Sequence, residues 1–208
     1  MGAVSTEVPA ALRMKIVKHF FLRALDGLNA AAIPYWADSG TLLGAMRHGG
    51  IIPWDRDCDL AVRAEDAAGL ARLVRDRSWC ALRDEDGVHR LYATKYDLKI
   101  CDLFTFSWRS ECPARFWRTS SAARLVDRRQ GWLVHDLERY QTYHDGRFNL
   151  PCSLVFPLTR VPFYDRHINV PARARDLLLA QYGARCFTHR DLREWDSDGR
   201  PLDAIRPL

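Results

Sequence analysis

The amino-acid sequence predicts an α/β (α+β) protein in which helices flank a mixed sheet. Two kinds of segment support this fold class. Residues 10–31 carry apolar side chains at helical spacing, whereas residues 57–62 and 97–106 are short runs typical of buried strands. The chain has 208 residues, of which 48% are hydrophobic and 11% aromatic, enough to bury a proper core. We therefore expect a single domain over residues 1–208.

The first third of the chain alternates helix and strand. An amphipathic helix is expected over residues 10–31, with basic residues between its apolar positions, which are Leu12, Ile16, Phe20, Leu25 and Leu28. Pro34 interrupts the backbone, and "YWAD" after it predicts a short strand that runs into a Ser-Gly turn at residues 39–40. A short helix follows over residues 41–48 and ends at the glycine pair 49–50.

The middle of the chain predicts one more strand, a helix and a hairpin. The strand covers residues 57–62, and "AEDAAGLARLVRDR" from Ala64 has the pattern of a helix. After a polar turn at residues 84–87, "VHRLYAT" and "DLKICDLFTF" predict the two strands of a hairpin, of which the second is more buried. Residues 107–150 have weak periodicity and carry no assignment.

The last part of the chain predicts a hairpin followed by a helix. The hairpin, or an extended segment, is "FPLTRVPFYDRHINVP". Pro171 suits the first turn of the helix after it, because that turn needs no N–H from this residue, and Gly183 supplies the end of the helix. The polar tail from Arg190 is expected to be a loop.

Composition limits the classes of partner. The net charge of +5 and the pI of about 9.0 suit an anionic ligand. The densest basic stretch, residues 109–129, has the character of a solvated surface, so nucleic acid is not the expected partner. Six cysteines without a C-x-x-C pair argue against a zinc ribbon or a dense disulfide framework. We expect buried free thiols, and one or two bridges or an irregular metal site remain alternatives.

The sequence gives an expectation for localisation as well. No apolar run approaches the roughly 18 residues that would span a bilayer, and the N-terminus lacks the pattern of a signal peptide. A cytoplasmic protein without a transmembrane segment is therefore expected. Two alternatives stay open: Gly2 and Thr6 fit a myristoylation signal, and an upstream membrane anchor could have been removed.

Alternating aspartates are the strongest indication of chemistry. In "WDRDCDL", Asp55, Asp57 and Asp59 are spaced two apart, so on an extended strand they share one face. Like charges held so close repel, which favours a bound divalent metal that carries a phosphate. Asp102 stands out as a carboxylate in a core strand. The alternatives are an edge strand with solvent-facing aspartates and, for Asp102, an ion pair with an arginine or with Lys99.

The short helix after the Ser-Gly turn predicts a phosphate site. Its N-terminus leaves backbone N–H groups and a positive dipole end available, which binds phosphate readily. Arg47 at its other end has an explanation in the helix dipole, but a guanidinium also suits bidentate oxyanion binding, so we expect Arg47 to contact a phosphate. His48 is left undecided, and Gly44 is as compatible with a tight backbone as with a ligand. The aromatic residues expected to serve packing are Trp54 and Tyr182.

The order of these segments resembles that of the nucleotidyltransferase superfamily: a strand, a Ser-Gly turn opening a helix, a strand with alternating aspartates, and a later strand with one more. More narrowly, "YWADSGTLLGAMRHGGIIPWDRDCDLAV" is similar to the signature of the LicD family, which includes bacterial phosphocholine transferases, fukutin and fukutin-related proteins. "FPLTRVPFYDRHINVP" with "LLLAQYG" resembles the C-terminal pattern of that family. The resemblance covers most of residues 35–106 and 156–183.

The resemblance implies a nucleotidyltransferase-like fold and a phosphotransferase dependent on Mg²⁺ or Mn²⁺. Such an enzyme moves a phospho-alcohol from a CDP-linked donor, such as CDP-choline or CDP-ribitol, to a glycan or related hydroxyl and releases CMP. Carried over by position, the metal-binding and catalytic residues are Asp57, Asp59 and Asp102, the last of which could accept the proton of the attacking hydroxyl. The implied phosphate-binding residues are Ser39, Gly40, Thr41 and Arg47.

Two further expectations complete the sequence-based hypothesis. Asp55 is given a supporting, loop-ordering role beside the metal ligands. The alternative functions are a nucleotidyltransferase of the same fold that releases pyrophosphate, and a glycan- or nucleic-acid-binding module without catalysis. Retention of Asp57, Asp59 and Asp102 together argues against the binding module.

Overall fold

The computed structural model describes residues 10–75, 77–111, 131–136 and 149–187. Within these ranges, helices flank a mixed sheet, so the predicted α/β fold class is confirmed. The predicted loop from Arg190 lies outside the described residues. In the part of the chain that is described, no helix is both long enough and apolar enough to cross a membrane.

The described helices have the following bounds: α1 (Ala10–Ala30), α2 (Ser39–His48), α3 (Ala64–Ala67), α4 (Leu70–Val74), α5 (Cys152–Val155) and α6 (Ala174–Tyr182). Two short 3-10 helices cover Thr94–Tyr96 and Ala184–Phe187. The strands are β1 (Trp36–Ala37), β2 (Asp59–Arg63), β3 (Cys80–Glu85), β4 (Val88–Ala93), β5 (Leu98–Arg109), β6 (Trp132–His135), β7 (Leu150–Pro151), β8 (Thr159–Phe163) and β9 (Arg166–Val170).

Seven of the described strands form one sheet in the order β1–β2–β5–β4–β3, with β6 beside the far end of β5 and β7 beside β6. The pair β2–β5 is parallel, and the other pairs of this sheet are antiparallel. The central strand β5 is twelve residues long because successive parts of it pair with β4 (residues 98–103), β2 (residues 102–106) and β6 (residues 106–109). It is buried over most of its length.

The hydrophobic core lies between this sheet and the helices. Helix α1 packs against β5 and α4, and α2 packs against β2 and α6. The hairpin β8–β9 forms a separate two-stranded sheet that packs on β1 and α2. Phe163 of the hairpin is fully buried and meets Phe21 of α1 edge-to-face, with ring centroids 6.0 Å apart. The hairpin therefore connects α1 to α2.

The predicted hairpin of "VHRLYAT" and "DLKICDLFTF" is confirmed as β4–β5, and β3 adds a second hairpin that the sequence did not predict. The predicted turn at residues 84–87 is shorter: Asp86 and Gly87 alone form it, with φ of 54° and 76°. Asp-Gly suits such a two-residue turn because both residues tolerate positive φ. The polar side chains before it belong to the partly exposed strand β3.

Three predicted element bounds are wrong. The helix predicted from Ala64 is two short helices separated at residues 68–69. The strand predicted over residues 57–62 begins at Asp59, where pairing with β5 begins. Pro171 lies three residues before α6 rather than in its first turn, because the next two N–H groups donate to carbonyls of α5.

Two further details depart from the predicted pattern. Leu12 is 48% exposed, although Ile16, Phe20, Leu25 and Leu28 are buried as expected, so the apolar face of α1 is covered only from its second turn onward. Helix α2 begins at Ser39, two residues before its predicted start.

The burial of α1 predicts a contrast between two leucines of the same helix. Leu25→Ala should lower the free energy of unfolding by about 2–5 kcal/mol, because Leu25 is fully buried. Leu12→Ala should change it by no more than about 0.5 kcal/mol, since its side chain is half exposed. Urea unfolding followed by tryptophan fluorescence measures both. Equal losses for the two variants would contradict this packing of α1.

Candidate active site

A row of charged side chains crosses the middle of the sheet. The N–H of Asp38, one residue beyond β1, donates to the carbonyl of Asp59 over 3.1 Å, and Asp59 is paired with Asp102 in the register of β2 and β5. Arg90 of β4 is the next partner of Asp102. Side chains paired across strands point to the same face. The register therefore places the carboxylates of Asp38, Asp59 and Asp102 in line, with the cation Arg90 at the end. These residues, together with Asp57 and Lys99 described next, form the acidic row.

Lys99 reaches this row because of a β-bulge. Leu91 pairs with Cys101 and Tyr92 pairs with Lys99, so Ile100 is an extra residue in β5. Without that extra residue, Lys99 and Asp102 would point to opposite faces, since they are three positions apart. With it, the Lys99 ammonium lies 2.8 Å from Oδ2 of Asp102.

Asp57, which precedes β2, joins the row through the same lysine. Its Oδ2 is 3.6 Å from Nζ of Lys99, and its side chain is 47% exposed. Asp102 is also 3.3 Å from Nε of Arg90. The expected alternative for Asp102, an ion pair with Lys99 or an arginine, is thus confirmed with both partners. The edge-strand alternative for Asp59 is wrong, because β2 lies between β1 and β5.

The row carries more negative than positive charge. Burial and then the charges of Asp57, Asp102, Asp38 and Asp55 raise the pKa of Asp59 well above its usual value. Burial also lowers the pKa of Lys99, but the hydrogen bond and charge of Asp102 outweigh it, so the net pKa is raised. No hydrogen bond or ion pair within the described ranges neutralises the carboxylate of Asp59.

Asp38 is an acidic residue of this site that the sequence did not single out. It occupies the N-cap position of α2 and is 1% exposed, and its Oδ1 has no hydrogen-bond partner in the described part of the structure. Burial raises the pKa of Asp38 to about 6, against the lowering effect of hydrogen bonds from Ser39. The signal available in the sequence was its position one residue beyond a strand and one residue before a Ser-Gly turn.

The N-terminus of α2, the predicted phosphate site, faces a carboxylate of the chain itself. A Cβ atom on Gly40 would lie 2.6 Å from Oδ2 of Asp55, so glycine lets this carboxylate rest against the first turn. Oδ1 of Asp55 accepts from the N–H of Arg56 over 2.9 Å. A negative side chain at this end of a helix is stabilising. Asp55 thus lies against the first turn of α2, and the supporting, loop-ordering role expected for it stays a prediction.

Thr41 makes a contact that its predicted role did not include. It is 3% exposed, and its Oγ1 accepts a hydrogen bond of 2.8 Å from the N–H of Asp59. This bond fixes α2 to the start of β2 beside the row. Phosphate binding by Ser39, Gly40 and Thr41 stays a prediction.

Arg47 lies at the opposite end of α2. It is eight positions after Ser39, which corresponds to about 12 Å along the helix axis. Its Nη1 donates to the carbonyl of Cys186 over 3.0 Å, and its Nε donates to Nε2 of His48 over 2.9 Å. Burial and the charge of Arg47 lower the pKa of His48. The contacts shown for Arg47 join α2 to the C-terminal 3-10 helix, and phosphate binding by Arg47 stays a prediction.

Gly44 allows two backbones to approach closely. A Cβ atom there would lie 2.5 Å from the carbonyl oxygen of Gly50 and 3.1 Å from the backbone nitrogen of Ile52. The sequence left Gly44 open between a tight backbone position and a role in ligand binding. These distances support the tight backbone position.

Tyr182, expected to be a core aromatic, lies beside the acidic row. Its hydroxyl is hydrogen-bonded to the side chain of Ser39, and burial together with the charges of Asp38 and Asp59 raises its pKa. Ser39 has φ of 47°, a conformation that costs energy for a residue other than glycine. Helix α6 thus supports the first turn of α2 through the contact of Tyr182 with Ser39. The position of Tyr182 at the end of a helix gives no indication of this contact in the sequence.

The cysteines near the row are buried thiols. Cys58 and Cys101 are fully buried, and burial raises their pKa well above the usual value. This agrees with the expectation that they belong to the core. Trp54 is partly buried against the core, as expected of a packing residue.

The fit of the site to a divalent metal can be judged from these side chains. All the donors are carboxylates, the ligand type that Mg²⁺ and Mn²⁺ prefer, and Asp59 makes no ion pair with another described residue. Across the residues described, no group of three or more His, Cys, Asp or Glu is arranged to hold a metal ion. The ammonium of Lys99 lies within 3.6 Å of Asp57 and 2.8 Å of Asp102, in the middle of these carboxylates. The donor type fits a divalent cation, and metal binding by Asp57, Asp59 and Asp102 stays a prediction.

Comparison with known families is consistent with this geometry. A family model described as "LicD/FKTN/FKRP, nucleotidyltransferase domain" matches residues 32–173. That range includes the acidic row, α2 and the hairpin β8–β9.

Individual relatives agree with this match. The chain is 52% identical over 161 residues to Ribitol 5-phosphate transferase FKRP of Mus musculus, and equally to that of Homo sapiens, covering 75% of this chain and 29% of each relative. It is 26% identical over 181 residues to Ribitol-5-phosphate transferase FKTN of Mus musculus, covering 85% of this chain and 34% of the relative. The chain therefore spans about a third or less of the length of these relatives.

The hydrogen bond of Thr41 predicts different effects for two small substitutions. Thr41→Val keeps the shape but leaves the N–H of Asp59 without its acceptor, so it should lower the free energy of unfolding by about 1–3 kcal/mol. Thr41→Ser keeps the hydroxyl and should be the milder variant. Urea unfolding measures both. If Thr41 served only to bind phosphate, Thr41→Val would unfold like the wild type.

Proposed function

We propose that the chain, which belongs to the LicD/FKTN/FKRP family, is a phosphotransferase. It would move ribitol phosphate, or a related phospho-alcohol such as phosphocholine, from a CDP-linked donor to the hydroxyl of a glycan and release CMP. The names of the relatives, ribitol 5-phosphate transferases, favour ribitol phosphate among these groups.

The observation that carries the proposal is the acidic row with its unbalanced charge. Four other aspartates, at positions 38, 55, 57 and 102, raise the pKa of Asp59 together with burial. Among the described residues, Lys99 pairs with Asp57 and Asp102, and Arg90 pairs with Asp102. A diphosphate donor is itself an anion, so it could approach this row only with additional positive charge.

A divalent cation would supply that charge. Asp57 and Asp59 are the residues that we propose to hold Mg²⁺ or Mn²⁺, because they are two positions apart where the chain enters β2 and Asp59 makes no ion pair with another described residue. When bound, the metal would neutralise the donor phosphates and stabilise the charge on the departing CMP.

The remaining side chains have roles that follow from their contacts. Lys99 and Arg90 hold Asp102 from two directions, which fixes its carboxylate on the face of the row. We propose that Asp102 accepts the proton of the attacking hydroxyl from that position. The first turn of α2, whose N–H groups and dipole favour anions, would bind donor phosphate, with Asp55 moving aside from Gly40.

Donor binding tests the proposal directly. We expect isothermal titration calorimetry to show binding of one donor among CDP-ribitol, CDP-choline and CDP-glycerol in the presence of Mg²⁺, and loss of that binding in EDTA. Asp57→Asn and Asp59→Asn should each weaken it by about tenfold or more, because they remove a negative metal ligand.

The matched control is Asp165→Asn. Asp165 is an exposed residue of the β8–β9 hairpin whose carboxylate pairs with Arg166 at 2.7 Å, and neither residue belongs to the acidic row. This variant should bind the donor like the wild type. No binding of any CDP-alcohol, or binding indifferent to both the metal and Asp59, would refute the phosphotransferase proposal.

The products separate phosphotransfer from nucleotidyl transfer. Incubation of the bound donor with a glycan acceptor should release CMP, as measured by anion-exchange chromatography. Release of pyrophosphate from CTP would instead identify a nucleotidyltransferase. Donor binding without either product, over a panel of acceptors, would favour a binding module.

A further inference from the structure

We propose that a groove between α1 and the loop after α2 is a second anion-binding site, which takes a phosphate monoester attached to a small apolar group. The groove has a volume of about 180 Å³ and is lined by Met14, Lys15, Lys18, Ile51, Ile52, Pro53 and Tyr164. None of these residues belongs to the acidic row, so the inference does not rest on the proposed function.

Two ammonium groups give the groove its charge. Lys15 and Lys18 are three residues apart on α1, which places them on the same face of the helix. Both are exposed, and within the described residues neither forms an ion pair at salt-bridge distance. Lys18 lies close enough to Asp165 to lower the pKa of that carboxyl, but Arg166 is the direct partner of Asp165, at 2.7 Å. The groove therefore keeps two cations available for a ligand.

Tyr164 makes the groove a built feature rather than a gap between loops. It has φ of 54°, which is unusual for an aromatic residue, at the tip of the β8–β9 hairpin. Its hydroxyl accepts the N–H of Ile51 over 3.0 Å, and its ring lies against Gly50, where a Cβ atom would be 2.6 Å away. Nζ of Lys18 lies 3.7 Å from the ring centroid. These contacts hold the ring in place and set one ammonium against its face.

Size and lining select the class of ligand. Liquid water occupies about 30 Å³ per molecule, so the groove holds a phosphate with a few carbon atoms rather than a long chain. Ile51 and Ile52 are buried and supply an apolar floor below the lysines. A phosphate monoester carries about −1.5 to −2 charge at pH 7, which matches two ammonium groups, whereas a carboxylate carries one. The ligand thus combines a dianion with an apolar arm.

Phenyl phosphate is the probe that tests this site, with benzoate as the singly charged analogue and inorganic phosphate as the analogue without an apolar arm. Isothermal titration calorimetry in EDTA avoids metal-dependent binding at the acidic row. We expect phenyl phosphate to bind the wild type more tightly than either analogue. The double variant Lys15→Gln/Lys18→Gln should weaken that binding by about tenfold or more.

Two controls make the result specific. Lys95→Gln changes another exposed lysine beside an aromatic ring, 5.4 Å from the centroid of Tyr96, and should leave the affinity unchanged. Asp59→Asn should also leave the affinity for phenyl phosphate unchanged. A result that refutes binding in the groove can therefore be told apart from one that refutes the proposed function. Amide NMR shifts of Gly50 and Ile51 on addition of phenyl phosphate would place the ligand.

Several results would overturn the proposal. Equal affinity of the lysine double variant and the wild type would show that the two ammonium groups do not bind the ligand. Equal binding of benzoate would show that a dianion is not selected. Binding to vesicles that contain phosphatidic acid, without binding of phenyl phosphate, would replace the soluble ligand with a membrane surface.

Discussion

The register between β2 and β5 is the constraint on which the rest of this site depends. Because Asp59 is paired with Asp102, and the backbone of Asp38 with that of Asp59, three carboxylates from distant parts of the sequence face the same side. A shift of the pairing by one residue would turn these side chains toward the core and bring Cys58 or Leu60 to the surface. The burial of Leu60 and Cys58, both fully inaccessible, therefore stabilises the arrangement of the charges.

The bulge in β5 determines the position of Lys99, as the register determines the positions of the carboxylates. It allows Lys99 to lie on the same side as Asp102, and the lysine reaches Asp57 as well. A buried carboxylate with two cations beside it is strongly held, since removal of one partner would leave a charge in a region of low dielectric. Asp59, the strand neighbour of Asp102, has no such pair of cations among the described residues. One of the two neighbouring aspartates is therefore held by ion pairs and the other is not.

Much of this arrangement follows from local sequence. The apolar spacing of α1, the Ser-Gly turn before α2, the alternation of aspartates and the apolar residues of β5 all predict elements that the structure contains. Local sequence does not predict the contributions of four other residues to the site, which are Lys99, Arg90, Asp38 and Tyr182. Lys99 depends on an inserted residue without a glycine or proline to mark it, and Tyr182 depends on packing between two helices far apart in the chain. Strand β3 was missed because its polar residues form a partly exposed strand beside an Asp-Gly turn.

The loop between α2 and β2 is held by the opposite end of the chain. The bond from Ile51 to Tyr164 spans 113 residues, and the bond from Arg47 to Cys186 spans 139. Contacts so distant in sequence require closure of long loops, which costs entropy and slows folding. The segment that carries the aspartates is complete early during synthesis, but its native surroundings exist only after β8, β9 and α6 have been made. The contacts of Ile51 and Arg47 can therefore form only after the later segments have been made, whereas the strands that align the acidic row all precede residue 110.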